Sequence, residues 1–169
     1  MVGGGGLGHI GLQALRTTSA AEIIAVEVKD EALSLAADLG ANYTVNSRKE
    51  DVVKEMDAIT DGDGVRQILD FVGGDETLGY APSLLAGGGD HHVVGYGGHV
   101  HEPAQALVNG GFDYRGTLVE TDPELQELMA LVARGDVELR TSRYDLDEIN
   151  DVADKLERGK IEDRGVITP

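Results

Sequence analysis

Six of the first eleven residues are glycines, and three of them, Gly3, Gly5 and Gly8, have the spacing Gly-x-Gly-x-x-Gly. Apolar residues then recur with the period of an α-helix, at Leu7, Ile10, Ala14 and Leu15. The combination predicts a sharp turn from a strand into a helix. In such a turn Gly3 allows the bend, Gly5 leaves the backbone open, and Gly8 lets the helix pack closely on the sheet. A flexible glycine-rich loop is the alternative interpretation.

The first turn of the predicted helix has the chemistry of a phosphate site. Its backbone N–H groups have no partner within the helix, and the positive end of the helix dipole lies there. Because Gly5 carries no side chain, a pyrophosphate can approach the backbone closely. The glycine pattern therefore predicts that this turn binds a dinucleotide.

An acidic residue at the end of the next predicted strand supports this interpretation. The segment Glu22–Glu27 predicts a buried strand that ends in a carboxylate, nineteen positions after Gly8. A ribose-binding acid is expected about 20 residues after the glycines, where it accepts hydrogen bonds from both adenosine ribose hydroxyls. Glu27 would repel a 2′-phosphate, which favours NAD over NADP. A solvent-exposed strand end is the alternative for Glu27.

Composition limits the partners of the chain. Its 31 acidic and 14 basic residues give a net charge of −17, which repels nucleic acid and destabilises a compact domain at low ionic strength. Salt screens this repulsion, to a Debye length of about 3 Å at 1 M, so we expect a salt-rich cytoplasm. No apolar run reaches the ~20 residues of a membrane span. The absence of cysteine excludes disulfides and thiolate metal sites within the sequence.

Strands and helices alternate over residues 1–118, which predicts an α/β fold, a Rossmann-type doubly wound parallel sheet with helices on both faces. The first strand is truncated, since only Met1 and Val2 precede the glycines. Later strands are predicted at Ile23–Val28, Tyr43–Asn46, Val65–Phe71, His92–Val94 and Phe112–Thr117. Helices are predicted at Gly6–Thr17, Glu31–Leu39, Asp51–Ile59 and Glu76–Leu85, and a turn at Ala86–Gly89.

Residues 119–169 depart from this alternation and are predicted to form a C-terminal α/β tail. Amphipathic helices are predicted at Pro123–Arg134 and Asp147–Arg158, and strands at Val137–Thr141 and Val166–Thr168. The apolar side chains of the first helix are expected to face the core or an interface, and those of the second to face inward. They are Leu125, Leu128, Met129 and Val132, then Ile149, Val152, Ala153 and Leu156.

Together these landmarks resemble the medium-chain dehydrogenase/reductase family, of the zinc alcohol dehydrogenase type. The matching pieces are residues 3–11, 25–28, 39–41, 46, 70–73, 77–78, 88–95, 116, 145–148, 156–160 and 164–166. They cover essentially the whole chain in the family's order. The resemblance implies a dinucleotide-binding domain over residues 1–118 and, over residues 119–169, a tail that returns to the family's catalytic domain.

The family's catalytic domain precedes the cofactor domain and carries the catalytic zinc ligands and the proton relay. The sequence contains neither, so the resemblance implies the C-terminal, NAD-binding half of an enzyme for a small alcohol or carbonyl substrate. Such a chain is expected to bind NAD and to catalyse nothing alone. A cloned piece, a misplaced start codon and a truncated gene all fit this expectation.

The resemblance also assigns cofactor-binding residues. Residues 5–7 would approach the pyrophosphate and the nicotinamide, Glu27 the adenosine ribose, residues 71–73 the adenosine half, and residues 94–96 the carboxamide. Arg164 resembles an arginine that reaches the pyrophosphate, with a surface arginine as the alternative. The full set is Gly3, Gly5, Gly6, Leu7, Gly8, Glu27, Phe71, Val72, Gly73, Val94, Gly95, Tyr96 and Arg164.

The sixth predicted strand raises two further points. In the family this strand pairs edge to edge in dimers, which implies a homodimer through Phe112–Thr117. Glu120 departs from the family, which tends to have glycine after this strand, and it would place a negative charge near the cofactor cleft.

Histidines do not add a recognisable metal site. His91, His92, His99 and His101 are predicted as polar strand and loop residues, because no cysteine accompanies them, and His9 as a packing residue. No catalytic or metal residue is therefore assigned. Two alternative functions stay open: a stand-alone nucleotide-sensing module, and a fragment of a zinc-independent enzyme of the quinone reductase type.

Overall fold

The computed structural model describes residues 1–119, 121–161 and 164–169, so Glu120 lies outside the described residues. The helices are α1 Gly8–Thr18, α2 Asp30–Asp38, α3 Val52–Ile59, α4 Asp75–Leu84, α5 Ala104–Gly110, α6 Asp122–Arg134 and α7 Ile149–Glu157. The strands are β1 Ile24–Glu27, β2 Tyr43–Asn46, β3 Val65–Asp70, β4 Leu85–Val93, β5 Asp113–Gly116, β6 Thr141–Asp145 and β7 Arg164–Thr168.

Val2 joins two groups of parallel strands into one sheet. It forms parallel bridges to Val26 of β1 and to Asp70 of β3. Its N–H donates to the carbonyl of Leu69 at 2.8 Å, and its own carbonyl accepts from the N–H of Phe71 at 2.9 Å. Since β1 pairs with β2, and β4 lies between β3 and β5, the order is β2-β1-Val2-β3-β4-β5. The predicted parallel α/β fold is confirmed.

Helices cover both faces of this sheet, so the side chains of β1 are buried on both sides. Its alternate side chains face opposite directions. Ile23 and Ala25 pack with Leu12 of α1 and Ala36 of α2. On the other face lies the larger core, which contains Val2, Ile24, Val26, Val45, Val52, Met56, Ile68, Ala81, Leu84 and Leu85. The glycine turn is thereby held between α1 and the middle of the sheet.

β4 begins earlier than predicted. The sequence predicts a turn at Ala86–Gly89 and a strand from His92, but β4 starts at Leu85. Its pairing with β3 is irregular, because Val65 pairs with Leu85 while Gln67 pairs with Asp90. Glycine tolerates such a bulge, and Gly88 has a φ of +71°. The glycines therefore mark an irregular strand rather than a turn.

The tail forms its own two-stranded parallel sheet from β6 and β7. The strand predicted at Val137–Thr141 was placed too early, since β6 begins at Thr141. Val137 is nevertheless buried. The apolar face of α6 is not core, because none of its residues is buried, and in α7 only Val152 is buried. In the described part of the chain, no helix is long and apolar enough to cross a membrane.

Candidate functional site

The glycine turn, residues 3–8, is tightly packed at Gly8 and open at Gly5. A Cβ at Gly8 would lie 1.9 Å from the carbonyl oxygen of Gly3, so only glycine fits there. Gly3 itself has a φ of +88°, which favours glycine. At Gly5, by contrast, a Cβ would meet no atom within 4 Å, and this residue is exposed. The turn thus presents exposed backbone at the position predicted to approach a pyrophosphate.

Glu27 lies at this turn. It is the last residue of β1, and its Oε2 accepts a hydrogen bond from the N–H of Gly4 at 2.8 Å. Its Oε1 accepts from the N–H of Val28 at 2.7 Å. The two contacts aim the carboxylate across the carboxyl end of the sheet. The carboxylate is thus oriented beside the glycine turn, and its role in binding a ribose stays a prediction.

The loops that follow β3 and β4 meet in front of the sheet. A Cβ at Gly73 would lie 1.9 Å from the carbonyl oxygen of Gly95, and Gly98 donates its N–H to Gly73 at 2.7 Å. The N–H groups of Val94 and Gly95 donate to the carbonyl of Asp70 at 2.8 and 3.1 Å. The structure therefore brings together the two loops that the sequence analysis assigned separately to the cofactor.

The side chain of Asp70 organises the first of these loops. Its Oδ1 accepts the N–H groups of Val72 and Gly73 at 2.9 and 2.8 Å, and its Oδ2 accepts the Thr77 hydroxyl at 2.9 Å. His91 lies behind it, with Nε2 3.5 Å from Oδ2, and neither side chain is exposed. Burial raises the pKa of Asp70, but His91, Gly73, Thr77 and Val72 together hold it below 3.8.

Three cavities follow one another along this edge of the sheet. The first, of about 150 Å³, lies between the glycine turn and the C-terminal tail. The second, of about 250 Å³, shares Glu27 with the first and is also lined by Val72. The third, of about 550 Å³, is largely apolar and is lined by Gly73, Gly95 and Tyr96. We refer to these three cavities together as the cleft; Glu27 lines both the first and the second of them.

The remaining predicted residues differ in how directly they face this cleft. Leu7 is half-exposed at the start of α1, beside the half-buried Gly6. The ring of Phe71 packs on α1, because a Cβ at Gly11 would lie 2.6 Å from its Cζ. Arg164 begins β7 and is exposed. Among the residues that the structure describes, it does not line any of the three cavities.

Several residues of the cleft escaped the sequence analysis. Lys29 and Arg140 line the first cavity, and Thr77 and Tyr80 the second. Burial raises the pKa of the Tyr80 hydroxyl. Thr77 stood within a family landmark, but nothing in the local pattern around Arg140 indicated that it would lie beside the glycine turn, more than 130 positions away in the chain.

The histidines do not assemble a metal site in the part of the chain that the structure describes. No group of three or more His, Asp and Glu side chains there could hold an ion. His91 is buried against Asp70, and His99 contacts Asp75 at 3.1 Å. His9 is buried, in agreement with the packing role predicted for it.

Comparison with known proteins decides the family. The model of the zinc-binding dehydrogenase family matches residues 6–134, which is most of the chain. The chain belongs to the zinc-binding dehydrogenases. The match begins within the glycine turn and extends over Glu27, the loops after β3 and β4, and helix α6.

Individual relatives agree with the family. The NAD-dependent alcohol dehydrogenase of Sulfolobus acidocaldarius is 37% identical over 167 residues, and an alcohol dehydrogenase of Geobacillus stearothermophilus is 35% identical over 165 residues. The crystal structure of the alcohol dehydrogenase of Aeropyrum pernix superposes with a TM-score of 0.96 at 42% identity. These matches cover 96 to 99% of this chain but 48% of each relative. The chain therefore spans about half the length of the relatives it matches.

Proposed function

We propose that this chain is the NAD-binding portion of a zinc-dependent alcohol or polyol dehydrogenase, and that it binds the cofactor without catalysing alone. The observation that carries the proposal is the placement of the Glu27 carboxylate beside the open backbone of the glycine turn. The relatives named NAD-dependent alcohol dehydrogenases support the choice of cofactor. NADP is disfavoured, because Glu27 would repel its 2′-phosphate.

The residues present fit a dinucleotide. Gly5 leaves space where a side chain would stand, and Glu27 offers acceptor oxygens next to it. In this proposal the N–H groups at the start of α1 hold the pyrophosphate and Glu27 holds the adenosine ribose. The nicotinamide end lies toward the 550 Å³ cavity, where the backbone of residues 94–96 borders it. Bound NAD supplies the acceptor for hydride from an alcohol.

Zinc does not fit the residues of this chain. The sequence has no cysteine, and the described residues contain no cluster that could hold an ion. We therefore place the catalytic zinc, together with the pocket for a small alcohol or carbonyl substrate, in an N-terminal catalytic domain that is not part of these 169 residues. No catalytic residue is assigned within this chain.

Calorimetric titration with NAD tests the proposal directly. We expect saturable binding of NAD to the 169-residue chain and weaker binding of NADP. Adenosine diphosphate ribose, which lacks the nicotinamide, should compete with NAD. If the folded chain binds none of these nucleotides, the proposed function is wrong. Preference for NADP would leave a cofactor domain but contradict the role of Glu27.

We also propose a homodimer through β5. This strand is an edge strand of the sheet, and Asp113, Arg115 and Gly116 are exposed on it. An exposed edge offers unpaired backbone groups to a second copy. Sedimentation of the chain at several concentrations tests this part. A purely monomeric chain at all concentrations contradicts it.

The charge of −17 supports a further part of the proposal, a cytoplasm of high salt. A compact chain of this charge repels itself unless counter-ions screen it. The same charge makes nucleic acid a poor partner. Both statements concern the environment of the protein and leave the cofactor assignment unaffected.

A further inference from the structure

The segment between α6 and β6 is attached to α1 by a buried glutamine. Gln13 is 7% exposed, and its amide binds both backbone groups of Glu138. Its Oε1 accepts the N–H of Glu138 at 2.8 Å, and its Nε2 donates to the carbonyl of Glu138 at 3.0 Å. Val137, next to it, is 1% exposed. A side chain of α1 thus provides hydrogen-bond partners for both backbone groups of Glu138.

His9 makes a second connection, between the glycine turn and Arg140. Its Nδ1 lies 3.0 Å from the carbonyl oxygen of Gly5, and its Nε2 lies 3.4 Å from the N–H of Arg140. Because a carbonyl only accepts, Nδ1 carries the proton and donates, which leaves Nε2 to accept from Arg140. His9 is 2% exposed, so little water competes for these contacts. The backbone of Arg140 is therefore held at a set position relative to Gly5.

Arg140 consequently lines the 150 Å³ cavity together with Gly5 and Glu27. Glu31 lines it too, so two carboxylates face a cavity that would have to receive an anionic ligand. Within a chain of net charge −17, an anion binds there only if a cation is close. Lys29 also lines the cavity, but its ammonium donates to the carbonyl of Gly159 in the tail.

We propose that Arg140 is a further cofactor-binding residue, whose guanidinium binds a phosphate group of the adenosine half of the dinucleotide. His9 and Gln13 are positioning residues that hold the backbone next to it. The inference rests on the proposed function, since it names an additional residue of the same site. A guanidinium suits the task because its planar N–H groups bind two phosphate oxygens at once.

Titrations with ligands that differ in phosphate content test the role of Arg140. Arg140→Gln should weaken the binding of NAD, adenosine diphosphate ribose and adenosine monophosphate about tenfold, which is the effect expected for the loss of one charge-assisted hydrogen bond. It should leave adenosine unchanged, because adenosine has no phosphate. Arg140→Lys should recover part of the loss, since it restores the charge but not the planar geometry. Arg143→Gln, an equal charge change on β6, is the control.

The outcomes separate this inference from the proposed function. If the parent chain binds NAD and Arg140→Gln binds it as well as Arg143→Gln does, Arg140 has no such role. An equal loss for adenosine and adenosine monophosphate would show a structural effect and overturn the phosphate contact. If the parent chain binds no nucleotide, both the proposed function and this inference are wrong.

A double-mutant cycle tests the positioning role of Gln13. Gln13→Leu should weaken the binding of adenosine monophosphate severalfold in the parent chain. It should have no further effect in the Arg140→Gln background, because the phosphate contact that Gln13 positions is already lost there. Circular dichroism and urea unfolding confirm that the variants are folded. Losses that simply add would show that Gln13 does not act through Arg140.

Discussion

The carboxylate of Glu27 and the backbone N–H of Gly4 are joined by a hydrogen bond of 2.8 Å across 23 positions of the chain. This contact links the end of β1 to the glycine turn. It points the acid toward the cleft before any ligand binds. A site that is already oriented spends less of its binding free energy on ordering side chains.

Glu27→Gln tests the specificity that this contact implies. The substitution keeps the shape but removes the charge, so we expect NAD to bind about tenfold more weakly and NADP to lose less. Calorimetry with both cofactors measures the ratio. Glu22→Gln, at the other end of the same strand segment, removes the same charge as a control. An unchanged preference for NAD would mean that Glu27 does not select the cofactor.

Two glycine substitutions should separate folding from binding. Gly8→Ala places a Cβ 1.9 Å from the carbonyl of Gly3, so we expect a loss of about 1–3 kcal/mol in the free energy of unfolding. Gly5→Ala meets no atom within 4 Å and should change stability by less than about 0.5 kcal/mol while it weakens NAD. Urea unfolding and calorimetry measure the two effects. Equal stability of both variants would contradict the geometry of the turn.

Because folding lowers the pKa of Asp70, we expect the stability of the chain to depend on pH. Folding lowers its pKa below 3.8, so the folded carboxylate holds its proton less tightly than the unfolded one. Its contribution is complete above the ordinary pKa and is lost as the pH falls through the lowered, folded value. Asp70→Asn should lower the free energy of unfolding by about 1–3 kcal/mol at neutral pH. As the pH falls, this variant should then lose less stability than the parent chain.

Urea midpoints measured from neutral pH down to the acid transition check this prediction. Asp113→Asn, on an exposed residue of β5, serves as the control for removal of one negative charge. Parallel curves for the parent chain and Asp70→Asn would show that the buried carboxylate does not account for the acid sensitivity.

The purified chain should not oxidise alcohols when NAD and zinc are supplied. The described residues contain no cluster that could hold the metal, and the relatives are about twice as long as this chain. Formation of NADH, followed at its absorbance, is the measurement. The alcohol dehydrogenase of Aeropyrum pernix is a positive control. Sustained turnover would overturn the division of labour proposed here.

Thermal unfolding in salt tests the proposed environment. We expect the melting temperature to rise between 0.1 and 3 M KCl, because ions screen the repulsion within a chain of charge −17. Differential scanning fluorimetry over this range is sufficient. A flat or falling curve would contradict adaptation to high salt.

The parallel sheet and the glycine turn followed from local patterns, because strand and helix periods and the Gly-x-Gly-x-x-Gly spacing act over short distances. Prediction was less accurate where a run of glycines fits either a turn or an irregular strand. At Ala86–Gly89 it indicated a turn, yet these residues lie within β4, since the neighbouring strand β3 supplies a partner. The apolar stripe of α6 likewise predicted a core or an interface; the core alternative is wrong, because no residue of α6 is buried, and the interface stays a prediction.

The sequence by itself determined the alternation of strands and helices along the chain, its net charge and the spacing between the glycine turn and Glu27. Only the tertiary structure decided which distant residues complete the cleft. Asp70 orders a loop through three hydrogen bonds, and Gln13 holds Glu138 from 125 positions away. Such contacts depend on how α1 and the tail pack on the sheet, and no local period of the sequence encodes that packing.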